Sequence, residues 1–140
     1  MQPTVENLKA LTFAFFNRHW VQEVLGNPPT WSERYTFVGS MPNHDKQGVY
    51  AFVSESGLIN YIGVGNSRGT GRYTGHGLGR RFQAYSRVLG GAHAPTDPRL
   101  KQAGGIMTIG FSQEVAYLAS ALELYLVGRL HTQHNAHRPG

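Results

Sequence analysis

The first long stretch of helical hydrophobic spacing lies between Val5 and Leu25. Apolar side chains recur there at intervals of three and four residues, which predicts an amphipathic helix with a wide apolar face. That face consists of Leu8, Leu11, Phe15, Phe16, Trp20, Val24 and Leu25. Thr4 is a plausible start for the helix, and Gly26 with the prolines that follow ends it. We expect this helix to cover one face of a sheet, and a dimer or partner surface is the alternative.

Residues 28–47 form a connector between this helix and the next predicted element. Trp31 and residues 35–38 carry strand-forming side chains, so this part either adds an edge strand or packs over the core. Residues 42–47 are polar and predict a turn.

A change to strand-forming residues follows between Gly48 and Gly63 and predicts a β-hairpin, with its turn at Ser54–Gly57. Each arm carries one tyrosine beside a glycine. Residues that point to the same face of neighbouring strands lie within side-chain reach, so we expect Tyr50 and Tyr61 to project together. The glycines would let another backbone or a phosphate approach. Ordinary sheet packing of the two tyrosines is the alternative.

The second half of the chain predicts helix, strand and helix. Residues 77–89 have helical spacing, with Leu78, Phe82, Tyr85 and Leu89 on one side, and a loop follows up to residue 103. Residues 106–111 predict the third strand. Ser112 is expected to cap the last helix, whose apolar face consists of Val115, Leu118, Ala119, Leu122, Leu126, Val127 and Leu130. Glu123 is predicted at the edge of that face, where a solvated surface carboxylate is the ordinary explanation.

Composition and charge narrow the possible functions. The chain has 140 residues, enough for one domain, and no cysteine, which excludes disulfides and thiolate zinc sites. No apolar run approaches the length of a membrane span, and we expect a soluble cytoplasmic protein. The net charge is +5, and from residue 56 to residue 113 Asp97 is the only acid. The bases in that stretch are Arg68, Arg72, Arg80, Arg81, Arg87, Arg99 and Lys101. Their clustering predicts a polyanionic partner, with a merely soluble basic surface as the alternative.

The tyrosine hairpin and the motifs after it resemble the GIY-YIG nuclease family. Gly48-Val49-Tyr50 and Tyr61-Ile62-Gly63 match its two signature strands, and Arg81 stands near the start of the next helix with Tyr85 one turn on. Glu123 matches the acidic helix, and Asn135 follows at the position of the closing asparagine. The resemblance covers residues 48–135. It implies an α+β fold with a small mixed sheet, in which residues 1–47 add an N-terminal helix and connector to a nuclease domain at residues 48–140.

This resemblance implies metal-dependent hydrolysis of DNA phosphodiester bonds. Glu123 would hold Mg²⁺ or Mn²⁺, Arg81 would brace the phosphate, and Tyr50 would act as general base or position the water. Tyr61 would orient the phosphate or the water, Tyr85 would support the site, and Asn135 would fix the final helix or form hydrogen bonds to the residues around the site. The residues expected to contact DNA are Arg68, Arg72, His76, Arg80 and Arg87.

Two departures from the family pattern keep other functions open. Val64 stands where several members have lysine, and the glycine-rich loop that follows is longer than in compact members, so Arg68, Arg72 or His76 would supply the missing charge. A catalytically inactive nucleic-acid-binding module is therefore one alternative. An enzyme acting on a phosphorylated small molecule is another, because Gly75–Gly79 precedes a helix and glycines there suit phosphates. His131, His134 and His137 could form a metal site, but a solvated tail is the preferred interpretation. The form of the DNA substrate is left open.

Overall fold

The computed structural model describes residues 2–66, 77–89 and 92–135. Its helices are α1 (Val5–His19), α2 (Gln22–Leu25), α3 (Leu78–Gln83), α4 (Pro98–Ala103) and α5 (Tyr117–Val127). Its strands are β1 (Gln47–Val53), β2 (Ile59–Gly65), β3 (Ser86–Leu89), β4 (Ala92–Pro95) and β5 (Ile106–Phe111). Short 3₁₀ turns lie at Gln113–Val115 and Gln133–Asn135. The chain is a small mixed α+β protein, as the sequence predicted.

The main sheet is three-stranded, in the order β2-β1-β5. Both of its strand pairings are antiparallel, so the mixed sheet that the resemblance implies is wrong for the described residues. The predicted hairpin is confirmed: β1 and β2 pair directly, and Gly57 adopts a φ of +86° in the turn between them. The predicted third strand is also confirmed, since β5 pairs with the other side of β1. Strand β1 is therefore central, and every one of its residues is buried.

The two faces of this sheet carry different side chains. Val49, Ala51 and Val53 of β1 point to one face, which we call the aliphatic face; α1 and α5 cover it. Tyr50 and Phe52 point to the other face, which we call the tyrosine face; α3, α4 and the connector residues Tyr35 and Phe37 cover it. The alternation follows from the two-residue period of a strand.

The N-terminal helix is shorter than predicted. Helix α1 begins at the expected Thr4 cap, whose side chain accepts from the backbone of Asn7, but it ends at His19. Trp20 has an extended backbone, and its indole Nε1 donates to the Gly26 carbonyl at 2.8 Å, which stabilises a separate turn at α2. Val24, predicted on the apolar face, is 77% exposed. Phe15 and Phe16 pack against α5 and β5, so the helix covers the sheet as expected.

The region after α3 differs most from the sequence prediction. The helix predicted to reach residue 89 ends at Gln83, and β3 and β4 form an antiparallel hairpin where helix and loop were expected. The predicted loop also contains α4, which Asp97 caps and which ends at Gly104 with a φ of +78°. Residues 86–89 pair with β4, and this tertiary pairing overrides a helical pattern that extends over only a few turns.

Two further predictions concern the start of the last helix and the connector. Ser112 makes no capping hydrogen bond; a 3₁₀ turn follows it, and α5 begins only at Tyr117. In the connector, the backbone of Tyr35 both donates to and accepts from the backbone of Ile106, so this segment extends the free edge of β5. The Tyr35 ring packs in the core.

None of the helices in the described ranges is long and apolar enough to cross a membrane.

Candidate functional site

The hairpin brings Tyr50 and Tyr61 together on the tyrosine face. Tyr50 lies opposite Gly63 and Tyr61 opposite Phe52, and the two tyrosine ring centroids are 6.1 Å apart. A Cβ on Gly63 would collide with the phenol ring of Tyr50, so the glycine makes room for that ring rather than for a phosphate. The prediction that the two tyrosines project together is confirmed.

Tyr85 completes what we call the tyrosine cluster: Tyr50, Tyr61 and Tyr85. It lies in the turn after α3, one residue beyond the helix cap, and not in a helix as predicted. Its hydroxyl is 2.6 Å from the hydroxyl of Tyr50, and both side chains are buried. A hydroxyl pair this short, between two buried side chains, fixes both rings in place.

Arg81 stands at the edge of the tyrosine cluster. Its guanidinium carbon lies 5.4 Å from the ring centroid of Tyr85, and the residue as a whole stays exposed. The hydrogen bond to Tyr50 raises the pKa of Arg81 further, so the guanidinium is charged at any pH of interest. The arrangement places a cation that water and ligands can reach beside two buried hydroxyls.

The ionisation of Tyr50 decides what its hydroxyl can do. Burial is the main cause that raises the pKa of Tyr50 well above its ordinary value, and the neighbouring tyrosines add to it. The hydrogen bond from Arg81 acts in the opposite direction but does not overcome burial. A general base works best with a pKa near the working pH. Tyr50 is therefore protonated at neutral pH, which favours the predicted water-positioning role over the role of a phenolate base.

A second guanidinium, from Arg99, flanks the tyrosine cluster and was missing from the predicted site. Its carbon lies 4.3 Å from the ring centroid of Tyr61 and 5.6 Å from that of Tyr85. Asp97 holds it through two hydrogen bonds of 3.0 and 2.9 Å, which raise the pKa of Arg99 and lower the pKa of Asp97. The sequence contained a signal, since Asp97-Pro98 is a typical helix start; taking this segment as a loop hid it.

Glu123 lies on α5, which covers the aliphatic face, whereas the rings of the tyrosine cluster project from the opposite side of the sheet. The residue is 3% exposed, so it is buried rather than solvated at the edge of the helix face. Asn66 donates from Nδ2 to the Ser120 hydroxyl at 2.6 Å, which ties the end of β2 to the helical turn that precedes Glu123. A Glu123 carboxylate acting beside Tyr50 would have to reach past this β2 edge.

The described residues could hold one Mg²⁺ or Mn²⁺ only in a site that has a single protein carboxylate. Within the described ranges, no three His, Asp or Glu side chains lie close enough together to hold a metal. Mg²⁺ in proteins keeps several waters and needs only one or two carboxylates together with substrate phosphates. Glu123 could supply one such carboxylate from α5.

Asn135 fastens the last described turn to the edge of β2. Its Oδ1 accepts from the Ile62 backbone at 2.8 Å, its Nδ2 donates to the Ile62 carbonyl at 3.0 Å, and the Thr132 hydroxyl also donates to Oδ1. The amide therefore satisfies backbone groups of an edge strand next to Tyr61 and Gly63. This position supports the predicted fixing role of Asn135.

The structure describes some of the remaining predicted residues but not all of them. Arg80 and Arg87 are exposed, on α3 and β3. Arg68, Arg72, His76 and His137 lie outside the described residues. His131 is exposed, and His134 Nε2 lies 3.1 Å from Gln102 Oε1.

None of three comparisons, with family models, with curated proteins and with solved structures, found a match to this chain.

Proposed function

We propose that the protein is a metal-dependent endonuclease that hydrolyses DNA phosphodiester bonds at the tyrosine cluster. The observation that carries the proposal is the convergence of Tyr50, Tyr85 and Arg81: two hydrogen-bonded hydroxyls in a buried site with an accessible guanidinium at its edge. Sites of this composition suit a phosphate, because the guanidinium can bind its oxygens and the hydroxyls can direct a water. Exposed Arg80 and Arg87 extend the basic surface around it.

Each side chain has a role that its geometry allows. Arg81 would bind a non-bridging phosphate oxygen and stabilise the negative charge that grows there as the bond breaks. Protonated Tyr50, hydrogen-bonded to Tyr85, would orient the attacking water rather than deprotonate it. Because both rings are locked by packing, this orientation costs little further entropy on binding. Mg²⁺ or Mn²⁺ held by Glu123 would supply Lewis-acid polarisation of the phosphate and a more acidic water.

A catalytically inactive nucleic-acid-binding module is the second candidate, and one observation favours it. Glu123 belongs to α5, the helix that covers the aliphatic face, whereas the tyrosine hydroxyls lie on the tyrosine face. In such a module the arginines would bind phosphates and the cluster would be a structural core. No described feature favours action on a phosphorylated small molecule, since part of the glycine turn at Gly75–Gly79 lies outside the described residues.

A plasmid-cleavage assay with and without Mg²⁺ separates these functions. We expect nicking or linearisation only with the metal, and we expect Glu123→Gln to abolish cutting while DNA binding stays largely intact. One carboxylate is essential to a one-metal site but changes the net charge of an arginine-rich surface very little.

Glu114→Gln is the matched control for this assay. Glu114 is an exposed carboxylate just before α5, and we expect its variant to cut like the wild type. Full activity in Glu123→Gln would overturn the metal assignment. Binding without cleavage by the wild-type protein under all metal conditions would favour the inactive module.

A further inference from the structure

We infer that Arg99 is a second phosphate-binding arginine of this site, contacting a phosphate of the bound strand next to the one at Arg81. The inference rests on the proposed function, because it assumes that a nucleic-acid strand crosses the tyrosine face. It starts from the position of the two guanidiniums: their carbons lie 5.4 and 5.6 Å from the same Tyr85 ring centroid, with Arg99 on the side towards Tyr61. A strand held by Arg81 would pass Arg99 as it crosses the cluster.

Arg99 is held rigidly before any ligand arrives. Asp97 accepts from its Nε and Nη2 and also from its backbone N–H, so one carboxylate both caps α4 and orients the guanidinium. Asn60, buried on β2, donates from Nδ2 to the Arg99 carbonyl at 3.2 Å and ties α4 to the strand that bears Tyr61. A guanidinium fixed in this way loses little conformational entropy when it binds an anion.

The orientation of the guanidinium leaves one of its nitrogens for a ligand. The hydrogen bonds to Asp97 use Nε and Nη2, and in the described part of the chain Nη1 makes none. The side chain is 29% exposed, whereas Tyr50 and Tyr85 beside it are buried. The Tyr61 ring supports the flat face of the guanidinium. The free edge of a stacked, carboxylate-held arginine is suited to a phosphate oxygen.

The test is the salt dependence of DNA binding, measured by fluorescence anisotropy on a short labelled duplex with EDTA present, so that cleavage does not interfere. We expect Arg99→Ala to weaken binding by about tenfold, the loss of one charge-assisted hydrogen bond, and to flatten the salt dependence. The slope should fall by less than the full value of about 0.9 for one phosphate, since Asp97 already offsets part of the charge. Arg18→Ala is the matched control: an exposed arginine on α1, over the aliphatic face, whose loss should leave the slope unchanged.

Asp97→Asn gives an independent arm that does not depend on how well Arg99→Ala folds. Asparagine keeps the helix cap but removes the charge that competes with the phosphate. We expect a steeper salt slope than in Glu6→Gln, which removes an exposed acid on α1. Equal slopes in Arg99→Ala and Arg18→Ala, or in Asp97→Asn and Glu6→Gln, would overturn the Arg99 assignment alone. Failure of the wild type to bind DNA at low salt would overturn the proposed function and this inference with it.

Discussion

The two faces of the central sheet differ in the side chains that the same strand, β1, buries on each of them. Val49, Ala51 and Val53 enter an aliphatic core that α1 and α5 seal, and polar side chains there are few. Tyr50 and Phe52, from the alternate positions, enter a layer covered by the short helices α3 and α4, where hydroxyls and guanidiniums meet. The first arrangement gains its stability mainly from the burial of apolar side chains. The second also buries hydroxyls and leaves charged groups at its rim, as binding and chemistry require.

A bulge in β2 decides which of its side chains lie on each face of the sheet. The register between β1 and β2 shifts after Phe52, so that Tyr61 pairs with Phe52 and Ile59 with Val53, and Asn60 is the extra residue. This bulge keeps Tyr61 on the tyrosine face while returning Ile59 to the aliphatic one. Bulges often re-aim a side chain beside a functional site.

The largest expected effect on stability comes from the aliphatic face. Leu122 on α5 is fully buried, and we expect Leu122→Ala to lower the free energy of unfolding by about 2–5 kcal/mol through lost burial and a residual cavity. Leu124 on the same helix is 65% exposed, so Leu124→Ala should change it by less than about 0.5 kcal/mol. Urea denaturation measures both. Cleavage per folded molecule should be the same in the two variants, because neither side chain carries a proposed catalytic group; a selective loss in Leu122→Ala would mean that the packing of Leu122 also sets the position of its neighbour Glu123.

The next largest expected effect is a loss of the cleavage rate on substitution of residues of the tyrosine face. We expect Tyr50→Phe and Arg81→Ala each to lower the cleavage rate by at least about two orders of magnitude, as when a water-positioning group or a charge clamp is lost. Tyr50→Phe leaves the Tyr85 hydroxyl without its described partner, which costs about 1–3 kcal/mol of stability. Single-turnover cleavage at saturating enzyme separates chemistry from binding.

Arg80→Ala is the control for these two variants. Arg80 is exposed on the same helix as Arg81 and should affect DNA affinity but not the saturated rate. Wild-type rates in Tyr50→Phe would show that the tyrosine cluster is a structural core like the other face.

The smallest expected effect is the pH dependence of the stability that the Asp97–Arg99 pair contributes. Hydrogen bonding to Arg99 lowers the pKa of Asp97 below its unfolded value of about 3.9, so the pair stabilises the fold above that pH and the contribution is lost as pH falls through the folded pKa. The pair is partly exposed, and we expect less than about 1 kcal/mol. Asp97→Asn should be less stable than the wild type near pH 6, and the difference should shrink below about pH 4. A constant difference across that range would place its cause elsewhere than in the charge.

The reliability of the sequence predictions followed the length of the pattern behind them. The hairpin, the third strand and the apolar faces of α1 and α5 rest on long or strongly patterned segments, and the structure has them. The β3–β4 hairpin and α4 rest on a few residues each, and their formation depends on contacts with distant parts of the chain, such as His93 donating to the Phe37 carbonyl. Short segments with mixed propensity take the conformation that the surrounding fold stabilises.

The sequence by itself determined the two strands of the hairpin and the turn between them, whereas the bulge at Asn60 decided that Tyr61 shares a face with Tyr50, because a register shifted by one residue turns a side chain to the other face. The sequence also determined the alternation that separates the aliphatic residues of β1 from its aromatic ones. Only the tertiary structure decided that Arg99 stacks on Tyr61, that the Tyr85 hydroxyl pairs with that of Tyr50 from a turn, and that the helix bearing Glu123 covers the aliphatic face. Each of these depends on how α3, α4 and α5 pack around the strands, and such long-range packing is set by the whole core and by no local pattern.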